Sequence, residues 1–199
     1  MIPRHLLTAV GAMLVLVLFL TLYVRHIRKR AAEIQATAAD NRPVAPPVAG
    51  PSEPVTFYVA DDDGGMLHAE TARISLPAGR QQRAEELLRA LVNTYLDKSS
   101  RHRLAPGSEV RNVYLVDPGL AVIDTNAAFA DGHRSGILVE ELTVASLVES
   151  LAANVAGIER VRILVDGKAR ETLAGHVDLA DSYDVSAIKT MAAQMQSGQ

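Results

Sequence analysis

Three carboxylates, Asp124, Glu140 and Glu141, are the residues of this sequence whose types could support acid–base chemistry together. Two carboxylates that meet in a cleft can act as general acid and general base. No positioned partner base or metal-ligand pattern accompanies them. Structural roles explain the same positions, because acids in a first helical turn complement the helix dipole and an aspartate after a strand caps a turn. We therefore predict a protein that is not an enzyme.

The run 61–63 of three aspartates, followed by two glycines, is the best candidate for a metal-binding loop. It lacks the alternating ligands and the distal glutamate of an EF-hand, so a solvated turn is the stronger interpretation. The sequence contains no glycine-rich phosphate loop, no G-x-S-x-G and no H-E-x-x-H. It also contains no cysteine, which excludes disulfides and thiolate sites. We expect no cofactor and no bound metal.

A basic loop carries Arg101, His102 and Arg103. It could contact an anionic polymer or lipid, although a solvated loop is the preferred interpretation. His176 and Asp178 lie two residues apart, which puts them on one face of an extended segment, where a surface hydrogen bond explains them as well as a ligand pair would. The formal charge of −3 and the 4% aromatic content argue against nucleic acid binding, which calls for a basic face or stacking platforms.

The first 30 residues predict a single transmembrane anchor with a basic flank. Residues 6–24 carry no charge and would span about 28 Å as a helix, close to the thickness of a bilayer core. A cleaved signal peptide, cut near residues 36–38, is the alternative, but the apolar run exceeds the usual signal core. The residues that follow the run can reach lipid phosphates: Arg25, Arg28, Lys29 and Arg30.

The rest of the chain divides by composition into a linker, one domain and a tail. Residues 31–54 are rich in alanine and then in proline, which excludes a helix through the proline part and predicts a linker that holds the domain away from the membrane. Residues 55–186 carry the periodic patterns of a folded domain. Residues 187–199 are short and polar, and predict a frayed helix or a disordered tail.

Hydrophobic periodicity predicts an α+β fold, with a mixed or antiparallel sheet and two helices packed on one of its faces. The first helix has its apolar face between Ala84 and Tyr95, and the second has a stripe from Leu138 to Val155, with Gly157 placed to stop it. The predicted strands are 55–59 and 67–76 as a hairpin, 109–116 and 120–125 as an antiparallel pair, and 161–165 with a two-residue turn into 169–173.

The motifs from residue 55 to about residue 183 resemble, in their order and spacing, a GerMN domain. The matching pieces are Val-Thr-Phe-Tyr-Val at 55–59, Leu-Ala-Pro-Gly-Ser-Glu-Val at 104–110, Gly-Leu-Ala-Val-Ile-Asp at 119–124 followed by Phe129, a helix from Glu140, and Val-Arg-Ile-Leu-Val-Asp-Gly at 161–167 with Gly-His-Val-Asp-Leu at 175–179. No single piece is specific, whereas the series is.

This resemblance implies a module similar to the ring-building motifs of sporulation secretion complexes, held outside the cytoplasmic membrane by an anchor or a lipid and acting as a scaffold. The protein that gives the family its name is similar to two such domains in tandem on a lipoprotein, whereas this chain has one domain and no cysteine for a lipid. The implied location conflicts with the positive-inside rule, because four basic residues follow the apolar run and only Arg4 precedes it. We therefore predict the extracytoplasmic location that the resemblance implies.

The sequence therefore predicts a single-pass cell-membrane protein whose extracytoplasmic domain is an assembly scaffold, with a sporulation or germination role among the options. Its expected partners are membrane lipid, other envelope proteins and copies of itself. The alternative is a module that binds or senses an envelope polymer such as peptidoglycan through the loop at 101–103. We expect contacts through the sheet edge and the loops at 61–68 and 126–136, with the interaction residues Arg101, Arg103, Asp124 and Phe129.

Overall fold

A computed structural model of the protein describes residues 50–116 and 118–197. The predicted transmembrane anchor, most of the predicted linker and the basic flank of the anchor lie outside these residues. Within the described ranges, none of the helices combines the length and the apolar character needed to cross a membrane. The basic flank that lies outside the described residues consists of Arg25, Arg28, Lys29 and Arg30.

The described residues form strands and helices that alternate along the chain in the order that the periodicity predicts, with two short additions. The elements are β1 (Ser52–Asp61), β2 (Met66–Ser75), α1 (Arg80–Leu96), β3 (Val110–Val116), β4 (Leu120–Thr125), α2 (Ala127–Asp131), α3 (Ile137–Asn154), β5 (Arg160–Val165), β6 (Tyr183–Asp184) and α4 (Val185–Ser197).

The strands form two sheets rather than one. β1 and β2 make an antiparallel hairpin, and the second sheet has the strand order β3-β4-β5-β6, in which only β4 and β5 run parallel. The mixed α+β fold is thus confirmed, but the single sheet is wrong. The reason is that side chains of α3, rather than another strand, bond to the free side of β1, as described below.

The chain after β5 departs from the predicted strand at 169–173. The turn itself forms as predicted, because Asp166 and Gly167 both have positive φ and Val165 and Lys168 exchange backbone hydrogen bonds. In the predicted segment 169–173 the pairing is limited to the isolated bridge between Thr172 and Asp178, and β5 pairs instead with β6. Residues 171–173 bond instead to residues 177–179, because the amide of Leu173 donates to the Val177 carbonyl and the amide of Leu179 donates to the Glu171 carbonyl. Glu140 then binds the loop between these two segments.

Helix α3 lies at the centre of the domain. Every residue from 142 to 151 is buried, and the helix contacts β1, β2, α1 and α4. It is therefore enclosed rather than packed with one apolar face on a sheet, as helices that are apolar all round usually are. The first residue of the predicted stripe, Leu138, is 42% exposed and does not belong to the core.

Helix α4 includes most of the segment for which the sequence predicts a frayed helix or a disordered tail. Its apolar residues Val185, Ile188 and Ala192 are buried, and it packs against α3 and β2. The polar composition of this segment concealed Ile188 and Ala192, which lie at helical spacing with Val185 and suffice with it to dock a short helix on an existing core.

Candidate functional site

Three polar residues of α3 bind the free edge of β1. Ser146, Ser150 and Asn154 are spaced four apart, which places them on one face of the helix. Asn154 accepts a hydrogen bond from the Thr56 amide at 3.0 Å and donates one to the Thr56 carbonyl at 2.7 Å. These side chains satisfy backbone groups that a neighbouring strand would otherwise bond.

The same edge continues through Tyr58 and Ala60. Ser150 Oγ accepts from the Tyr58 amide at 2.9 Å, and Ser146 Oγ donates to the Tyr58 carbonyl at 2.6 Å. Tyr95 Oη, from α1, accepts from the Ala60 amide at 2.8 Å. Burial raises the pKa of Tyr95 to about 12, so the phenol stays neutral at physiological pH. The edge of β1 is thereby closed to any other strand.

The edge of β3 is closed over its first half by two residues of α1. Arg89 donates to the carbonyl of Val110 at 3.1 Å and to that of Arg111 at 2.6 Å. Glu85 accepts from the Val113 amide at 3.4 Å and lies 3.8 Å from the Arg89 guanidinium. Helix side chains again take the place of a neighbouring strand. The edges of β1 and β3 are therefore protected in the same way, by hydrogen bonds from a helix.

The outer edge of β2 has no neighbouring strand among the described residues. Because the amides of Thr56, Tyr58 and Ala60 point away from β2, alternation along an antiparallel pair turns the backbone groups of Ala69, Thr71, Arg73 and Ser75 outward. One outward carbonyl, that of Leu67, accepts a hydrogen bond from Gln196 of α4. Residues 68–71 are exposed, so this edge meets solvent.

The outer face of the four-stranded sheet is a second exposed surface. Tyr114 and Val116, on β3, are 45% and 46% exposed and lie opposite Val122 and Leu120 of β4, which are half-buried. Inward residues of the same strands, such as Ile123, are fully buried. Large apolar side chains on an open sheet face are a common feature of protein contact surfaces.

Three loops meet at the turn of the β1–β2 hairpin. Asp61 accepts hydrogen bonds from the amides of Asp63 and Gly64, both at 3.0 Å, and from Arg101 at 2.6 Å. The Gly64 amide and then the Arg101 guanidinium hold the pKa of Asp61 at about 2. The aspartate run thus caps its own turn and pairs with the basic loop, as a structural turn does.

Beside Asp61, a buried hydrogen-bond chain joins the same loops to α3. Asp62 Oδ1 lies 2.6 Å from His102 Nδ1, and Thr143 Oγ1 lies 2.8 Å from His102 Nε2 and 2.7 Å from His133 Nε2. A hydroxyl, an imidazole and a carboxylate in this order resemble a hydrolase triad. Thr143 and His102 are 1% and 0% exposed, however, which leaves a substrate no route to the hydroxyl.

Glu140 is a buried carboxylate that binds a loop rather than a substrate. Its oxygens accept hydrogen bonds from the amides of Ala174, His176 and Val177 at 2.9–3.1 Å and from the Gly136 amide at 3.2 Å, and the His176 ring lies 2.9 Å away. Burial alone would raise its pKa, but the Val177 amide, the His176 ring and the other amides outweigh that effect and hold it at about 2.

The carboxylates that could have met in a cleft have separate partners. Asp124 Oδ1 accepts from the Gly167 amide at 2.7 Å, and Glu140 binds the 174–177 segment. Glu141 lines a groove between α3 and α4. Among the described residues no hydrogen bond or ion pair joins any two of the three. His176 and Asp178 also have separate partners, because Asp178 accepts a hydrogen bond from the Ala180 amide while His176 faces Glu140.

The structure separates the four predicted interaction residues. Arg101 and Arg103 are exposed, and Arg101 is paired with Asp61. Asp124 is 6% exposed and caps the turn after β5, whereas Phe129 is 0% exposed and packs 6.3 Å from the ring of His133. Phe129 therefore anchors its loop to the core. The closure of β1 was missed, although polar residues every fourth position in an apolar helix were a signal for it.

Comparison with known proteins agrees with this fold. The profile of the Germane family, described as sporulation and spore germination, matches residues 56–171, which is more than half of the chain. No curated protein matches the chain in sequence. The tandem GerMN domains of the sporulation protein GerM from Bacillus subtilis are similar in structure, with a TM-score of 0.51 and 20% identity. That match covers 67% of this chain and 46% of the tandem protein.

Two further structures are similar at lower scores. The first GerMN domain of the same GerM protein has a TM-score of 0.48 and 19% identity, and the match covers 66% of this chain and 97% of that domain. A protein from Clostridium perfringens described as a lipoprotein has a TM-score of 0.48 and 15% identity, over 74% of this chain and 96% of its own. With the profile match over residues 56–171, this chain belongs to the Germane family of GerMN domain proteins.

Proposed function

We propose that this chain is a membrane-anchored scaffold whose GerMN domain lies on the extracytoplasmic side and associates with envelope proteins, in a sporulation or germination context. The observation that carries the proposal is the contrast between the sheet edges. Helix side chains close β1 and half of β3, while residues 68–71 of β2 are exposed and the outward carbonyl of Leu67 accepts from Gln196. Open edges pair readily with an extended segment of another chain.

The chemistry of the buried polar residues favours association over catalysis. Glu140, Asp124 and His102 are each buried and bound to groups of their own chain. A catalytic acid or base must reach a substrate atom within hydrogen-bond distance. These residues instead hold loops in place. A domain that binds other proteins through its surface requires such fixed loops.

The alternative, an envelope-polymer binding module, depends on the basic loop at 101–103. In the structure the Arg101 guanidinium lies 2.6 Å from the Asp61 carboxylate, and the adjoining pocket also contains His68 and Glu70. This pairing lowers the attraction of the loop for an anionic polymer, because Asp61 offsets the charge of Arg101 locally. We therefore rank the alternative second.

Proline at position 71 should abolish association through β2. The Thr71 amide points outward, so proline removes an outward donor without breaking a β1–β2 hydrogen bond, as is tolerated on edge strands. We expect amine-reactive cross-linking of the wild-type full-length chain in native membranes to give complexes, and we expect Thr71→Pro to lose them. The readout is the gel mobility of the tagged chain after cross-linking, and a band at twice the monomer mass identifies self-association.

Thr71→Ala is the matched control, because it removes the same side chain and keeps the amide. It should retain the cross-linked complexes. Circular dichroism melting of both variants checks that the domain remains folded. Loss of complexes in both variants would assign the contact to the threonine side chain, and persistence in Thr71→Pro would show that β2 is not the contact edge.

Protease accessibility in intact spheroplasts tests the proposed location. We expect added protease to digest the domain from outside while a cytoplasmic control protein survives, because the family implication favours an extracytoplasmic domain. Digestion only after membrane lysis would place the domain in the cytoplasm, in agreement with the positive-inside rule. That outcome would overturn the envelope part of the proposal and leave the β2 contact to be judged by the cross-linking result.

A further inference from the structure

Helices α3 and α4 and the segment 176–183 line a groove of about 290 Å³. Ile137, Glu141 and Val144 form its α3 wall, because spacings of four and three place them on one face of the helix. Ile188 and Met191 of α4 form another wall at the same kind of spacing. The volume lies at the lower limit for small-molecule pockets, so the groove suits one or two side chains of another molecule rather than a whole cofactor.

The groove keeps large apolar side chains in contact with solvent. Ile137 is 60% exposed, because it belongs to the first turn of α3, which lies outside the enclosed part of that helix. Val177 and Met191 are half-buried at the same groove. Removing apolar surface from water is favourable, so the groove favours an aliphatic side chain from another chain.

One carboxylate in the groove has no partner of its own. Glu141 is half-buried, and among the described residues it makes no hydrogen bond and no ion pair. Asp178 also lines the groove and is exposed. None of the described residues that line the groove is a lysine or an arginine. A cation is therefore the complementary charge, and Glu141 is the group with which it would pair.

Two rings at the groove fit the same preference. The hydroxyl of Tyr183 donates to the Asp178 carbonyl, and burial, then the charges of Asp178 and Glu140, raise the pKa of Tyr183 to about 12. The phenol therefore stays neutral, and the two carboxylates make its surroundings negative. The His176 ring lies 2.9 Å from the Glu140 carboxylate, so this contact is directed at the buried acid rather than at Glu141. An aromatic ring also attracts a cation over its face.

We propose that this groove binds a segment of a partner protein in which a lysine or an arginine adjoins an aliphatic residue. The aliphatic side chain packs on Ile137 and Met191, and the cation pairs with Glu141. A wholly apolar segment would bury the Glu141 carboxylate without a partner, and an acidic segment would add a second negative charge beside it. A basic segment without apolar side chains would leave Ile137 exposed.

The inference goes beyond the proposed scaffold function, because it adds a second contact surface and names the chemistry of the partner. None of the described residues that line the groove belongs to β2, whose open edge carries the proposed function. Thr71→Pro should therefore leave binding at the groove unchanged, so the two proposals fail separately.

Fluorescence anisotropy measures the binding of a short, dye-labelled peptide of alternating leucine and lysine to the full-length chain. The chain is held in nanodiscs of zwitterionic phosphatidylcholine, because a basic peptide also binds anionic lipids, and empty nanodiscs give the background. Two comparison peptides carry glutamate in place of lysine, or serine in place of leucine. We expect saturable binding to the wild type from the leucine–lysine peptide and from neither comparison peptide.

Glu141→Lys should weaken binding of the leucine–lysine peptide by about tenfold, because the substitution replaces an attraction by a repulsion. Glu86→Lys is the matched control. Glu86 is also half-buried, makes no hydrogen bond or ion pair among the described residues, and lies on α1, which does not line the groove. It changes the net charge of the chain equally and should stay within about twofold of wild type.

Ile137→Ser tests the apolar wall and should weaken binding by about fivefold. Its position is 60% exposed, so the variant should fold, and circular dichroism melting checks this for every variant. If Glu141→Lys fails to fold, Ile137→Ser decides the question, and an unchanged affinity in it would count against the groove.

Absence of binding by the leucine–lysine peptide would overturn the proposal. Equal binding of the glutamate peptide would do the same, and equal binding of the serine peptide would show that charge alone is recognised. Equal weakening by Glu141→Lys and Glu86→Lys would assign the effect to net charge, and would also overturn the proposed site.

Discussion

Replacing Glu140 by glutamine is expected to lower the free energy of unfolding by about 3 kcal/mol, enough to threaten a domain of ordinary stability. The carboxylate is fully buried and accepts four backbone hydrogen bonds in addition to the His176 contact. Glutamine offers one acceptor oxygen and turns an amide donor toward the other amides. The loop at 174–177 should therefore detach, with buried donors left unpaired.

Chemical denaturation of Glu140→Gln measures this loss of unfolding free energy, and Glu141→Gln, at the neighbouring position, is the control. Glu141 carries the same charge on the same helix and lines an open groove, so its substitution should change the free energy of unfolding by less than about 0.5 kcal/mol. A loss below about 1 kcal/mol in Glu140→Gln would contradict the role given to this residue.

The pH dependence provides an independent check of Glu140. Its folded pKa of about 2 lies below the reference value of 4.5. Its contribution to stability is therefore present above pH 4.5 and is lost as the pH falls toward 2, because the unfolded carboxylate takes up its proton first. The wild type should lose stability through this window more steeply than Glu140→Gln, which has no carboxyl to protonate.

Replacing Ser146 and Ser150 together by alanine is expected to cost about 3 kcal/mol of unfolding free energy. Both serines are 0% exposed, and they bond the carbonyl and the amide of Tyr58. Alanine leaves both backbone groups, and one contact of Tyr95 Oη, without partners in a site that water cannot enter. Each orphaned buried group costs about 1–3 kcal/mol.

Amide hydrogen exchange locates this effect. The amides of Tyr58 and Ala60 should lose protection in the double variant, while those of Val59, which bond to β2, should keep more of it. Thr94→Ala removes an exposed hydroxyl that bonds only within α1 and should stay within about 0.5 kcal/mol of wild type. Equal protection in wild type and double variant would show that α3 does not close the edge of β1.

The sequence predicted the family correctly because family membership depends on the order of local motifs. Each strand and helix carries its own periodicity, as in the alternation at 55–59 and the stripe from Ala84 to Tyr95, and these patterns survive without knowledge of contacts. The match of the Germane profile to residues 56–171 confirms that prediction. The turn at Asp166–Gly167 was predicted on the same local ground.

The candidate surfaces depended on long-range contacts and could not be predicted in this way. From its position Phe129 could either anchor its loop or face a partner, and only the fold shows that its ring is in the core beside His133. Glu140 had the profile of a helix-dipole residue, yet its carboxylate binds amides more than 30 positions along the chain. Whether a polar side chain is exposed or satisfied inside the fold is decided by which backbone groups reach it.

By itself, then, the sequence determined the kinds of elements, their order and the family, since these follow from backbone propensity and from periodicities of two and 3.6 residues. Only the tertiary structure decided which strand edge stays open. A serine or an asparagine on α3 closes β1 because burial brings it within 3 Å of an unpaired amide. No local pattern encodes that distance, so the open edge of β2 emerges only when the helices are in place.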